Sequence, residues 1–163
     1  MPGSVPSAPA ARVHAHPLLA GLAPALRQQL AEFASDTTFP GGERVFVEGG
    51  PANRFWLLES GAVALGLHVP GRGDQIVETV SAGQLLGWSW LQPPYRWRFE
   101  AASIASVTAL EFDAVGVRRR CDDDPRFGYA IMRLFLPVVA DRLQAARVRL
   151  LDLWAATPAR RSW

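Results

Sequence analysis

Cysteine is almost absent, with Cys121 alone among 163 residues. A single thiol excludes an intrachain disulfide framework and any multi-cysteine zinc or iron-sulfur centre, and it suits a reducing cytoplasm. Lysine is missing altogether, so all 17 basic side chains are arginine, set against 15 acidic ones. The one basic run, Arg118-Arg119-Arg120, is answered at once by Asp122-Asp123-Asp124. It therefore reads as a solvated helix end rather than a phosphate-binding stripe. Histidine is scarce too. Of His14, His16 and His68 the first two fall near the amino terminus, and no closely spaced pair sits on a strand, so metal catalysis is not expected. His68, before a Pro-Gly turn, reads as an exposed loop residue and not a haem ligand. GWSWL lacks the second glycine of a nucleophile turn. No enzyme is expected on these grounds. No stretch approaches ~18 uninterrupted apolar residues, the length needed to span a membrane.

What is present is an apolar chain of single-domain length, 49% hydrophobic. Residues 1–15, rich in Pro, Ala and Ser, read as a disordered tail without the charged start and apolar run of a signal peptide. Order is expected from His16 onward: Leu22, Leu26, Leu30 and Phe33 recur at helical spacing, giving a helix within 16–35. From 37 to 113 the period changes. VFVE, RFWLLE, AVALGLHV, QIVETV and ASVTALEF are short β-branched and aromatic runs separated by Pro-Gly and Gly-Gly turns. That punctuation predicts a mainly β jelly-roll barrel with flanking helices.

Helices are expected again over 114–157, with 158–163 as a second tail. Asp124-Pro125 supplies an N-cap and a proline at the first helical position. In the long helix that follows, Val139, Leu143, Ala146, Leu150 and Leu153 fall at alternating steps of four and three, the seam of a coiled coil, and predict a homodimer. A helix packed only on its own barrel would also carry one apolar stripe, but Leu151 and Trp154 widen this one. Pro137 is expected to kink it. Only AATPARRSW follows, too little for a helix-turn-helix, so no direct DNA contact is expected.

One stretch stands out. GQLLGWSWLQPPYRWRFEA, residues 83–101, holds three of the six tryptophans around two adjacent prolines. Those prolines interrupt both ladder pairing and helix propagation, so packing alone is an incomplete account of it.

The order of elements, with Gly41, Gly49 and Gly61 in PGGERVFVEGGPANRFWLLESGAV, resembles the cyclic-nucleotide-binding domain of the catabolite-activator (Crp/Fnr) superfamily over about His16 to Trp154. The resemblance implies a regulatory, ligand-sensing module. It places GQLLGWSWL at the start of the family's phosphate-binding cassette and the final helix at the dimer interface. In such a cassette a glycine turn admits an anion to the backbone, an arginine neutralises the cyclic phosphate and a glutamate accepts from the ribose hydroxyl. Here Leu86 and Gly87 lead into Trp88, Ser89 and Trp90. Trp88 stands where the glutamate is expected and Trp97 where the arginine is, with Arg96 and Arg98 beside it. Alternation along an extended segment would aim both arginines into the pocket or both away, unless Pro93-Pro94 shifts the register by one.

Ala145, Ala146 and Arg147 stand where the long helix is expected to meet the ligand. Trp88, Trp90, Tyr95, Trp97 and Phe99 are thus expected to line or lid an effector pocket. Its ligand is a cyclic nucleotide held weakly or an apolar, aromatic small molecule. The alternative is that these aromatics are only core and lid, in a degenerate module that dimerises or binds another regulator without any ligand.

Overall fold

A computed structural model describes residues 8–156. Residues 1–7, the outer part of the expected amino-terminal tail, and residues 157–163, which include all of the expected second tail, lie outside the described residues. Eight strands form two antiparallel sheets: β1 (Ala34–Phe39), β8 (Val107–Asp113), β3 (Arg54–Ser60) and β6 (Leu85–Leu86) in that order, and β2 (Arg44–Phe46), β7 (Glu100–Ser103), β4 (Ala62–Val69) and β5 (Gly73–Ser81) in the other. The jelly roll expected from the turn pattern is the observed architecture. Gly61 shows why one such turn is glycine. Its φ is +78°, and a Cβ there would stand 2.3 Å from the carbonyl oxygen of Ser106.

The amino-terminal region differs from expectation. Pro9–Ala15 form a helix, α1, with Pro9 in the first turn. Val13 beneath it is wholly buried, and Arg12 bridges the carboxylates of Asp36 on β1 and Glu59 on β3. Composition suggested disorder, but burial of Val13 and this clamp to two strands supply what an isolated short helix lacks. The expected single helix over 16–35 is broken in two. A helical turn spans Pro17–Leu19, and α2 spans Pro24–Ala31. Pro24 opens α2, and Ala23 before it takes ψ 147°, as a residue preceding proline prefers. The apolar face was read correctly: Leu22 and Leu30 are buried, Leu26 and Phe33 partly so.

Strand β3 organises the interior. Phe55 to Leu58 are four consecutive buried residues, so both faces of this strand are covered. Phe55 looks toward the helices, stacked on its register partner Phe112 at 4.7 Å between ring centroids, on Trp90 at 4.9 Å, and edge-on to Phe135. Trp56 belongs to a second aromatic cluster with Phe39, Phe46 and Trp97. The two clusters follow from the two-residue period of a strand.

Asp113 caps α3 (Ala114–Asp123) by accepting from the Val115 amide. Asp124 caps α4 (Pro125–Ala156), accepting from the amides of Arg126 and Phe127. The first turns of α4 bury Phe127, Ile131 and Phe135 on the barrel. Past Pro137, which lies within the continuous helix, the apolar residues turn outward. Leu143, Leu150 and Leu153 are 52%, 57% and 66% exposed, while Val139 is half-buried.

Candidate functional site

Residues 87–89 and 97–99 form one side of a cavity at the barrel wall. Leu86 is wholly buried and paired with Trp56 across β3 and β6, so it is a core residue behind the site. Gly87 then turns the chain with φ +88°, and a Cβ there would come within 3.0 Å of the Trp97 ring. Only glycine lets the indole lie flat against this turn. A helical turn over Ser89–Leu91 follows, and the Pro93-Pro94 peptide is cis.

The cavity, about 20 Å³, is walled by Gly87, Trp88, Ser89, Trp97, Arg98 and Phe99 from this segment. Phe46 of β2 and Leu65 of β4 complete the barrel side, and Arg142 of α4 closes it from the helix. Trp97 stacks on Phe46 at 3.9 Å. These two rings also border a separate, more open groove of about 360 Å³, where Arg54 pairs with Glu111 at 3.2 Å. Glu111 in turn accepts from the Trp56 indole at 2.8 Å.

The expected site residues therefore divide. Gly87, Trp88, Ser89, Trp97, Arg98 and Phe99 meet at the cavity. Trp90 does not: it is 1% exposed and lies on the helix side of β3, between Phe55 and Phe135. Tyr95 is not in the lining either; it sits at φ +55° with the Arg118 guanidinium 3.8 Å above its ring. Arg96 and Arg98 separate instead of pointing the same way. Arg96 donates to the carbonyl of Gly49 at 2.8 Å and holds that glycine turn, whereas Arg98 lines the cavity. The chain bends at Arg98 and Phe99 before β7 begins, so strand alternation does not apply between them.

Two further corrections concern the helices. Ala146 and Arg147 are exposed and outside the lining; Arg142, one helical turn before Ala146, is the residue that reaches in. Its side chain is 15% exposed, its Nε meets Glu78 of β5 at 3.0 Å, and its Nη2 donates to the carbonyl of Leu85. Burial lowers the pKa of this guanidinium, against the opposing pull of Glu78. Sequence reasoning missed Arg142; an arginine three residues from the half-buried Val139, on the face turning toward the barrel, was the available signal. The arginine run is likewise not a free helix end. Arg118 donates to the Trp90 carbonyl at 3.0 Å, and Arg120 pairs with Glu32 at 3.1 Å.

Among the described residues no group of three His, Cys, Asp or Glu could hold a metal ion, and no helix is long and apolar enough to cross a membrane. Half-burial and the neighbouring Asp122 push the Cys121 thiol up to about 11, so it is a poor nucleophile.

The profile of the cyclic nucleotide-binding domain family matches residues 36–124, more than half of the chain. The chain belongs to the cyclic nucleotide-binding domain family. This cyclic nucleotide-binding domain is 26% identical over 133 residues to a CRP-like cAMP-activated global transcriptional regulator of Mycobacterium tuberculosis, an alignment covering 82% of this chain and 58% of that protein. It is 30% identical over 141 residues to glutaminase 1 of Bradyrhizobium diazoefficiens, covering 86% of this chain but only 22% of the glutaminase. The domain thus spans little more than half of the first relative and a minor part of the second. Its fold is similar to that of a cyclic nucleotide-binding protein from Geobacter metallireducens, with a TM-score of 0.74, 23% identity, and coverage of 82% of this chain and 96% of that one.

Proposed function

We propose that this domain senses a small effector between the cassette segment and α4, and that α4 carries the response to a second copy of the chain along Val139, Leu143, Ala146, Leu150 and Leu153. One observation carries the reading. The cavity is closed by cassette residues on one side and by Arg142 of α4 on the other, while the apolar seam of the same helix lies exposed just beyond it. An apolar stripe at coiled-coil spacing, exposed over several turns, calls for a partner surface. The reading assigns no DNA contact to the described residues, since Arg118 and Arg120 are engaged within the chain. A reducing cytoplasm suits its single half-buried thiol.

The favoured effector is an apolar or aromatic small molecule. Trp88 and Trp97 occupy the positions of the ribose-binding glutamate and the phosphate-binding arginine that the family resemblance implies. Each lost charge-assisted bond is worth about 1.5–3 kcal/mol, so cyclic-nucleotide affinity should fall by roughly two to four decades. Mass analysis of the purified protein for a co-purifying compound, followed by calorimetric titration with cyclic AMP and cyclic GMP, tests this directly. Submicromolar cyclic AMP binding would overturn it.

The small volume of the cavity, about 20 Å³, favours a second reading in which the aromatics have filled the site and the domain acts only by dimerisation or by contact with another regulator. Light scattering separates the helix from the pocket. Wild type is expected at twice the chain mass and Leu143→Asp at once that mass, with folding retained. A dimer that binds no small molecule favours the second reading, and a monomeric wild type sinks the first and leaves only contact with another regulator from the second.

A further inference from the structure

Only one edge of the Trp97 indole faces the cassette. A Cβ at Gly87 would meet its benzo edge, Cη2 at 3.0 Å and Cζ3 at 3.1 Å, whereas one at Gly50 would meet Cδ1 of the pyrrole edge at 3.6 Å. Gly50 borders the open groove of about 360 Å³, which shares only Phe46 and Trp97 with the cassette cavity. The groove is therefore a separate space at the other edge of the same indole. Trp97 Nε1, the ring atom next to Cδ1, donates to no described residue and, unlike Trp90 Nε1, is not buried. An indole N–H on an apolar wall is a donor that an incoming acceptor can use. The wall itself is fixed by backbone bonds: Gly49 N–H to the Trp97 carbonyl at 2.8 Å, Trp97 N–H to the Gly50 carbonyl at 2.9 Å, and Ala52 N–H to the Tyr95 carbonyl at 2.8 Å. A wall held in this way is in place before any ligand arrives.

The charge at the groove selects against anions. Arg54, its one cation, meets Glu111 at 3.2 Å and Asp113 at 3.6 Å, so two carboxylates surround a single guanidinium. Phe39 and Trp56, edge to face at 6.2 Å, supply aromatic surface beside this polar end. We propose that the groove is a second small-molecule site, which takes an uncharged planar ligand of about two fused rings with a carbonyl acceptor for Trp97 Nε1–H. Its volume lies at the low end of the range of ligand sites, roughly 300–1,000 Å³. Its chemistry differs from that of the cassette cavity, where the lining cations are Arg98 and Arg142 and no acid is present. The inference does not depend on the effector reading of that cavity.

Proton–nitrogen NMR of the full-length protein, with naphthalene-2-carboxamide, naphthalene-2-carboxylate and naphthalene as probes, tests the site. The carboxamide is expected to move the Trp97 indole N–H signal downfield, to shift the amides of Val47, Gly50 and Asn53, and to bind about threefold or more tightly than the carboxylate. Trp97→Phe, which also assigns the indole signal, should weaken the carboxamide by about threefold to tenfold, the value of one neutral hydrogen bond, and leave naphthalene within about twofold. Val47→Asp puts a charge on the apolar wall at an exposed position and should weaken the carboxamide several-fold. It keeps the proposal open to refutation if Trp97→Phe folds poorly. Shifts at Gly87, Trp88 and Ser89 without shifts at Val47 and Gly50 would assign the probe to the effector cavity, overturning the second site and leaving that cavity standing. Carboxylate binding as tight as the carboxamide overturns the uncharged class, and binding of none of the probes overturns the site. Loss of the Val47 and Gly50 signals on concentrating the ligand-free protein would mark a second copy of the chain as the occupant and overturn it too.

Discussion

The two faces of β3 carry clusters of similar composition and different fate. On the helix side Phe55, Phe112, Trp90 and Phe135 interlock at 1–2% exposure or less, with no ionised side chain in the ring stack. On the other side Trp56, Phe46 and Trp97 also stack, but they border open space and stand beside Arg54, Glu111, Arg98 and Arg142. Trp90 and Trp97 are seven residues apart in one aromatic stretch and end on opposite faces of the same strand. Aromatic content therefore does not distinguish a core from a site here. What distinguishes them is the company of charge and the presence of a void.

The sharpest way to test this division is to truncate its helix-side member. Trp90→Ala should cost about 3–5 kcal/mol in chemical denaturation, since a large aromatic leaves a cavity that its neighbours cannot fill. If the loss is below about 1 kcal/mol, the helix-side cluster is not the core described above. Gly87→Ala probes the other face. It places a methyl group at positive φ against the Trp97 ring and should cost about 1–3 kcal/mol while altering the near-ultraviolet signal of that indole. A neutral outcome would mean that Trp97 moves freely and the cavity has no fixed wall.

Arg118→Ala tests the bond between the two regions. It removes the donor to the Trp90 carbonyl and the cation over Tyr95, and should cost about 1 kcal/mol. Hydrogen exchange should rise across residues 88–97 with little change in the strands. A uniform rise would mean that Arg118 supports the whole fold instead of this segment.

The smallest effect concerns pH. His16 accepts from the Leu18 amide through Nδ1, and burial lowers its pKa, only partly offset by Glu59. A histidine whose folded pKa is depressed contributes stability above its unfolded pKa, about 6.5, and loses it as pH falls toward the folded value. Thermal midpoints should therefore decline modestly below that pH. His16→Asn, which keeps an acceptor at the cap without a titrating ring, should flatten this part of the decline.

Much of the architecture was legible because it rests on local rules. The glycine turns, the Asp124-Pro125 cap, the strand runs and the four-three spacing of α4 each follow from backbone geometry or side-chain period. The site was legible only in part. Gly87, Trp88, Ser89, Trp97 and Arg98, expected together because the cassette is contiguous in sequence, do line one cavity. Arg142 was missed because its role depends on where α4 crosses the barrel, and Ala146 and Arg147 were preferred by alignment one turn too far along. Arg118 looked free because Tyr95, its partner, is 23 positions away in sequence. Composition reads residues 1–15 as disordered, but it has no view of the carboxylates that Arg12 finds on two strands, and Pro9–Ala15 are helical.

The stacking of Trp56 and Trp97 also has an optical meaning. Their ring centroids are 5.9 Å apart with planes inclined by 29°, close enough for the two indole transition dipoles to couple. The protein should thus show an exciton couplet in its ultraviolet circular dichroism, a sign pattern that neither chromophore produces alone. Because the couplet depends on the angle and separation of this one pair, it reports the position of the cavity wall without any added label. Trp90, stacked on phenylalanine instead, contributes to absorbance but not to this indole pair.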